Sequence, residues 1–282
     1  MIVITGATGA LNGATTDHLL RRIPTTDIAV VARDVAKAAR FADLGVEVRY
    51  GDFTDPASLP DAFAGADQLL IVSASDPKDD AVALHRAAID AAVEAKVGRV
   101  LYTSHQGAAA NSPFRPGRDH AATEDLLAAS GIPWTALRNG FYLHSIDWLL
   151  GPWRETGVIS VPADGPVSWT SRADAAEAAA AIIASGTPYD GPVTLTRRSA
   201  PTFEEIARLA ETVTGRQLGF EVVDPEQWVR SQVAAGSAEP MARFTLGMYD
   251  AAAAGFFAGT DPLLESLLGR EPRTVQQHLA AA

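Results

Sequence analysis

The chain contains no cysteine. That excludes disulfides, thiol nucleophiles and cysteine-ligated metals, and it lends no support to secretion. Positive charge is scarce: 23 Lys and Arg stand against 34 Asp and Glu, for a net charge of −11. An anion of this size is repelled by nucleic-acid phosphates and by anionic lipid, so neither is an expected partner. No apolar run reaches membrane-spanning length, and no basic stretch precedes the apolar Met1–Ile4 segment. The expected compartment is the cytoplasm.

What is present is an ordinary globular balance, 47% hydrophobic and 20% charged. A length of 282 residues accommodates a doubly wound sheet plus a smaller second lobe. Short apolar runs alternate with helical patterns, as a parallel α/β sheet requires. Strands are predicted at 2–5, 28–32, 46–50, 68–73, 99–104 and 134–137. Helices are predicted at 14–23, 35–44, 57–64, 80–96 and 119–129. The expected fold is therefore a doubly wound parallel Rossmann sheet with a smaller C-terminal α/β substrate lobe. Residues 1–150 make the nucleotide-binding domain, with 171–197 returning to it; 151–170 and 198–282 make the lobe.

Directly after the first strand comes Thr5-Gly6-Ala7-Thr8-Gly9-Ala10-Leu11-Asn12-Gly13. Gly6 permits a tight turn, and Gly9 lets the backbone approach a pyrophosphate resting on the helix N-terminus at Thr8, Ala10 and Leu11. The position between strand and helix is what makes the pattern specific, the alternative being a turn that binds nothing. Asn12 occupies the third glycine slot, with Gly13 one residue late. Its side chain is expected to push the helix off the strand or to turn toward the cofactor.

The second strand ends Val31-Ala32-Arg33-Asp34. An acid here would hold a ribose 2′-hydroxyl, whereas cations suit a 2′-phosphate. Arg33 and Lys37, one helical turn apart, favour NADP, with NAD still possible. In the alternative reading Asp34 caps a helix and both cations are solvated. After the third strand, Asp52 could accept a bond from an adenine amino group with Phe53 beside it, or the segment is a plain turn. Ser73 and Ser75, closing the fourth strand, are expected to border the ribose and pyrophosphate.

With these pieces placed, the chain resembles the atypical short-chain dehydrogenase/reductase superfamily, and within it the NmrA-like group and the bacterial type 2 NAD(P)H:quinone oxidoreductases. The likeness rests on Gly6-Ala7-Thr8-Gly9, Val31-Ala32-Arg33-Asp34, Gly51-Asp52-Phe53, Tyr102-Thr103-Ser104, His120-Ala121-Ala122-Thr123-Glu124 and Leu137-Arg138-Asn139-Gly140-Phe141-Tyr142. Arg172-Ala173-Asp174 and Gly269-Arg270-Glu271-Pro272-Arg273-Thr274 extend it toward the C-terminus. The resemblance implies that Thr103, Ser104, His120, Asn139, Gly140 and Phe141 border the cofactor.

Ketone reductases of that superfamily use a Tyr-x-x-x-Lys pair, in which lysine lowers the tyrosine pKa so that the phenol can give a proton. Counting back from Glu124 places His120 in the lysine slot and Pro116 in the tyrosine slot. Neither replaces the tyrosine, and Ser104 is left with no partner for that chemistry. A quinone tolerates this loss, because its reduction product is stable enough to take a proton from water; the protein need only align the reactants. The expected catalytic residues are His120, Asn139 and Tyr142, and His120 is alternatively a surface residue. Phe141, Tyr142, His144, Trp148 and Trp153 are the expected lining of a flat apolar substrate slot, although such clusters also form cores.

The leading expectation is an NADPH-dependent reductase of a quinone or similar aromatic acceptor. A non-catalytic NAD(P) redox sensor with a regulatory partner and a pathway reductase or isomerase are the alternatives. His18, His85, His105 and His278 show no metal-ligand spacing, nor do Asp79-Asp80 and Glu204-Glu205, so no metal is expected. The substrate is a small molecule, and a homodimer is the natural oligomer.

Overall fold

The computed structural model describes residues 1–74 and 80–281. The strands are β1 (Ile2–Thr5), β2 (Ile28–Ala32), β3 (Glu47–Tyr50), β4 (Gln68–Ile71), β5 (Arg99–His105) and β6 (Trp134–Asn139). They are followed by β7 (Phe141–Tyr142), β8 (Val158–Val161), β9 (Trp169–Thr170), β10 (Gly191–Leu195) and β11 (Gly219–Val222). The helices are α1 (Ala10–Leu19), α2 (Ala39–Ala42), α3 (Leu59–Phe63), α4 (Ala81–Glu94), α5 (Arg115–Ala129), α6 (Ile146–Leu149) and α7 (Trp153–Thr156). Then come α8 (Arg172–Ala184), α9 (Phe203–Thr214), α10 (Pro225–Ala234), α11 (Glu239–Ala253), α12 (Leu263–Leu268) and α13 (Val275–Ala281). Among the described residues no helix is long and apolar enough to cross a membrane.

Seven strands form one sheet in the order β10-β6-β5-β4-β1-β2-β3. Pairing is parallel for β1 with β2 and β4, for β2 with β3 and for β4 with β5. The order reverses between β1 and β4, which is where doubly wound sheets open a crevice for ligands. β2 is buried at every position, as a strand covered on both faces must be.

The chain divides into two compact units. The first comprises Met1–Ser104, Asp119–Arg138 and Arg172–Val193; the second comprises His105–Arg118, Asn139–Ser171 and Thr194–Ala282. Residues 105–118 and 139–150, expected in the nucleotide-binding domain, thus lie in the second unit. The reason is apolar: Phe114, Leu143, Ile146, Leu149 and Leu150 join its core. In the first unit one core gathers Val3, Val31, Leu69, Ile71 and Val100 with Phe63 of α3 and Ile89 of α4. There too α1 packs on α8. Small buried residues allow that approach: Gly13, Thr15 and Thr16 on α1, and Ala175, Ala176 and Ala179 on α8.

In the second unit β8 and β11 pair in parallel, and α9 starts with a capping box between Thr202 and Glu205.

Candidate functional site

In the first unit, the chain leaves β1 through a loop that only glycine can make. Gly6 has φ of +65°, and a β-carbon there would stand 2.7 Å from Val72 Cγ1. The Gly9 N–H closes the turn onto the Gly6 carbonyl at 2.9 Å. Gly9 then caps α1 without any side-chain hydrogen bond, and no acid lies in the first turn. The exposed N-terminus at Ala10, beside the half-buried Leu11, therefore keeps its positive end for an external anion.

Asn12 neither displaces the helix nor turns outward. It is buried, and its Nδ2 donates to the Thr5 carbonyl at 2.8 Å, tying α1 down onto β1. The close-packing role passes to Gly13, where a β-carbon would meet the Ala7 carbonyl at 2.8 Å. The expectation that Asn12 disturbs the site is corrected by this bond.

Two threonines expected beside the cofactor hold the frame of the first unit. The Thr5 hydroxyl donates to the Leu70 carbonyl and accepts from the Val72 N–H, at 3.0 and 2.8 Å. Thr103 Oγ1 accepts from the Ser73 N–H at 2.8 Å. Both side chains are buried and committed to the backbone at the end of β4 and just after it. Ser73 lies half-buried on that segment; Ser75 falls outside the described residues.

At the end of β2, Asp34 caps the 3₁₀ turn Val35–Ala38 by accepting from the Ala36 N–H. Arg33 and Lys37 are exposed beside it, with Lys37 Nζ 3.7 Å from the Asp34 carboxylate. Asp52 likewise holds its own turn, accepting from the Thr54 N–H at 2.9 Å, while Phe53 packs partly against the core.

Ser104 does have a partner. Its hydroxyl donates to Glu124 Oε1 at 2.6 Å, and Arg138 grips the same carboxylate with Nε at 2.9 Å and Nη2 at 2.5 Å. His120 is half-buried, not a surface residue, with Nδ1 2.8 Å from the hydroxyl of fully buried Tyr102. Burial pushes the Tyr102 phenol pKa well up. Next to it, His85 is buried, which holds it neutral with a pKa lowered to about 4.

Tyr102, His85, Thr123 and the Glu124–Arg138 pair were not singled out as functional from the sequence. Two periodicities carried the signal. Alternation along β5 puts Tyr102 and Ser104 on one face, and helical spacing puts His120, Thr123 and Glu124 on one face of α5.

In the second unit, Asn139 ends β6, buried, with Nδ2 donating to the Tyr142 hydroxyl at 3.3 Å. A β-carbon on Gly140 would meet Thr170 Oγ1 at 2.5 Å, so this glycine answers to β9. Phe141 sits among His105, Trp169 and Phe257, with ring centroids 5.4–5.6 Å away. Tyr142 stacks on exposed His144 at 5.8 Å. Trp148 is exposed on α6. Trp153 is only 4% exposed and belongs to the core of this unit, with the Arg154 guanidinium over its ring. Among the described residues no cluster of three or more His, Asp or Glu is placed to hold a metal ion.

The β1–glycine–α1 geometry at the switch point of a doubly wound sheet defines a dinucleotide-binding protein of the Rossmann type. The NmrA-like family model matches residues 1–255, and the chain belongs to that family. Quinone oxidoreductase 2 of Escherichia coli is 32% identical over 99% of this chain and 98% of its own. The NAD(P)H azoreductase of Xenophilus azovorans is 28% identical over 100% and 97%. Among solved structures, the E. coli quinone oxidoreductase in complex with NADPH superposes with a TM-score of 0.92 at 30% identity, covering 100% of this chain and 99% of that one. Citrobacter sp. triphenylmethane reductase in complex with NADP(H) gives 0.90 at 32%, covering both chains fully.

Proposed function

We propose that the chain is an NADPH-dependent oxidoreductase that reduces quinones or similarly conjugated aromatic acceptors. One observation carries the reading. An uncapped, acid-free helix N-terminus stands behind a positive-φ glycine, while the slots for an acidic tyrosine and its lysine hold Pro116 and His120. The tyrosine that does meet His120 is fully buried with a raised pKa, so it gives no proton to a substrate. An enzyme so equipped suits acceptors whose reduced form needs no protein acid. Relatives named for quinone, azo and triphenylmethane reduction support that class of acceptor.

The residues fit the cofactor. The backbone amides at Ala10 and Leu11 suit its diphosphate, and Arg33 and Lys37 suit a 2′-phosphate. When bound, a reduced nicotinamide supplies hydride. In the first unit His120 offers a hydrogen bond to an oxygen; in the second, Asn139, Phe141, Tyr142 and His144 are the residues offered to an acceptor. The reading includes a cytoplasmic setting and a homodimer, the latter checked by light scattering.

Mixing the purified chain with NADPH and benzoquinone tests it: NADPH absorbance is consumed only when both are present. Arg33→Ala raises the Kd for NADPH by about tenfold and leaves that for NADH within about twofold. Dinucleotide binding without turnover on any of several quinones rejects the reading.

A further inference from the structure

Buried in the first unit is a set of polar side chains whose hydrogen bonds have a readable direction. The Ala74 N–H donates to His85 Nε2 at 2.8 Å. His85, kept neutral by burial, therefore carries its proton on Nδ1 and donates it to Thr123 Oγ1, also 2.8 Å away. The Thr123 hydroxyl in turn donates to the Asp119 carbonyl at 2.8 Å. His85 Nδ1, 3.5 Å from the Tyr102 hydroxyl, is thus a donor and cannot accept from it. The phenol also neighbours the Ser73 and Thr123 hydroxyls, and the strongest acceptor among these groups is an imidazole lone pair, His120 Nδ1 at 2.8 Å.

We propose that Tyr102 is a positioning residue that holds His120 in the tautomer protonated on Nε2. Resting on the reductase reading above, this deepens it: His120 acts toward cofactor or acceptor as a neutral hydrogen-bond donor to oxygen, not as a general base. Tyr102 touches neither. It works through the ring of His120, and His85 works behind it by holding Thr123 and the Ala74 backbone. The arrangement gives a role to the hydroxyl of a phenol that has no access to substrate. Its hydroxyl selects one of two imidazole tautomers that would otherwise interconvert.

The test is nitrogen-15 NMR of the full chain labelled at histidine, with the His120 signals assigned by their loss in His120→Gln. The expected wild-type signature is a protonated-type shift at Nε2 and an unprotonated-type shift at Nδ1. In Tyr102→Phe both move toward the average of two exchanging tautomers, while thermal unfolding shows the variant folded. A wild-type His120 protonated on Nδ1, or a pattern unchanged by Tyr102→Phe, overturns the proposal. These readouts do not depend on turnover, so they separate this proposal from the reductase reading. In the benzoquinone assay, Tyr102→Phe lowers kcat about tenfold, the size of one net hydrogen bond, with KM within about twofold. A kcat equal to wild type with the tautomer lost removes the catalytic part.

Discussion

The two units of the chain solve different problems with different side chains. In the first, the core is mostly aliphatic, and its buried polar groups are tied to backbone or to one another: Thr5, Thr103, His85, Tyr102 and the Ser104–Glu124–Arg138 set. Among the described residues Asn12 Oδ1 is the one buried side-chain polar atom there without a partner. The second unit packs Phe114, Trp169, Phe203, Trp228, Tyr249 and Phe257 together. It leaves Gln106 Nε2, Asn139 Oδ1, Ser168 Oγ and Trp169 Nε1 without one. Fully satisfied polar networks specify a single backbone geometry, which a fixed cofactor requires. Aromatic rings supply area and shape, which suits recognition of a varied substrate.

Four experiments break or sharpen that contrast. Phe203→Ala in the aromatic core should lower unfolding stability by about 3–5 kcal/mol, read from the denaturant midpoint. NADPH affinity of the folded variant should hold within about twofold; its loss would show that the aromatic core also governs the nucleotide frame. Gly9→Asp acts in the opposite sense. An aspartate caps α1 well, so melting temperature holds or rises, but its carboxylate takes the place of the pyrophosphate. The Kd for NADPH should rise about 100-fold, equivalent to roughly 3 kcal/mol.

Each unit also buries a neutral histidine, His85 in the first and His105 in the second, both held at a pKa of about 4 by burial. The unfolded chain takes up those protons near pH 6.5 and the folded chain only near 4. Stability is therefore intact above pH 6.5 and falls as pH drops between the two values. At pH 5 each histidine costs about 2 kcal/mol. His105→Asn should remove about half of the loss between pH 7 and 5, and an unaltered slope would mean the unit admits the proton. The smallest effect belongs to Asn12→Gly, which restores the glycine pattern and removes the tie to Thr5. A loss of about 1–2 kcal/mol is expected, whereas a gain would mean Asn12 strains the helix.

Much of the first unit was legible because its signals are local. β1 and β2 fall at the residues expected. The helix after β1 starts at Ala10, not Ala14, and Gly13 lies inside it as the glycine that lets the helix close on the backbone after β1. α5 starts at Arg115, not Asp119, and Pro116 lies in its first turn, where proline is tolerated. The aromatic residues of 139–153 were legible as a cluster but not as individuals. Trp153 and Trp148 have the same composition signal and opposite burial.

What this chain determines by itself is the nucleotide turn. A positive φ, a cap without a side chain and the apolar strand before them depend only on neighbours in sequence, so chemistry and spacing suffice to read them. Tertiary structure alone decided which way Asn12 points and that Ser104 meets Glu124. It also decided that Tyr102 and His85 converge on α5. Those contacts join residues 7 to 38 positions apart. They exist only once helices pack onto the sheet, an arrangement settled by how the whole sheet buries its faces.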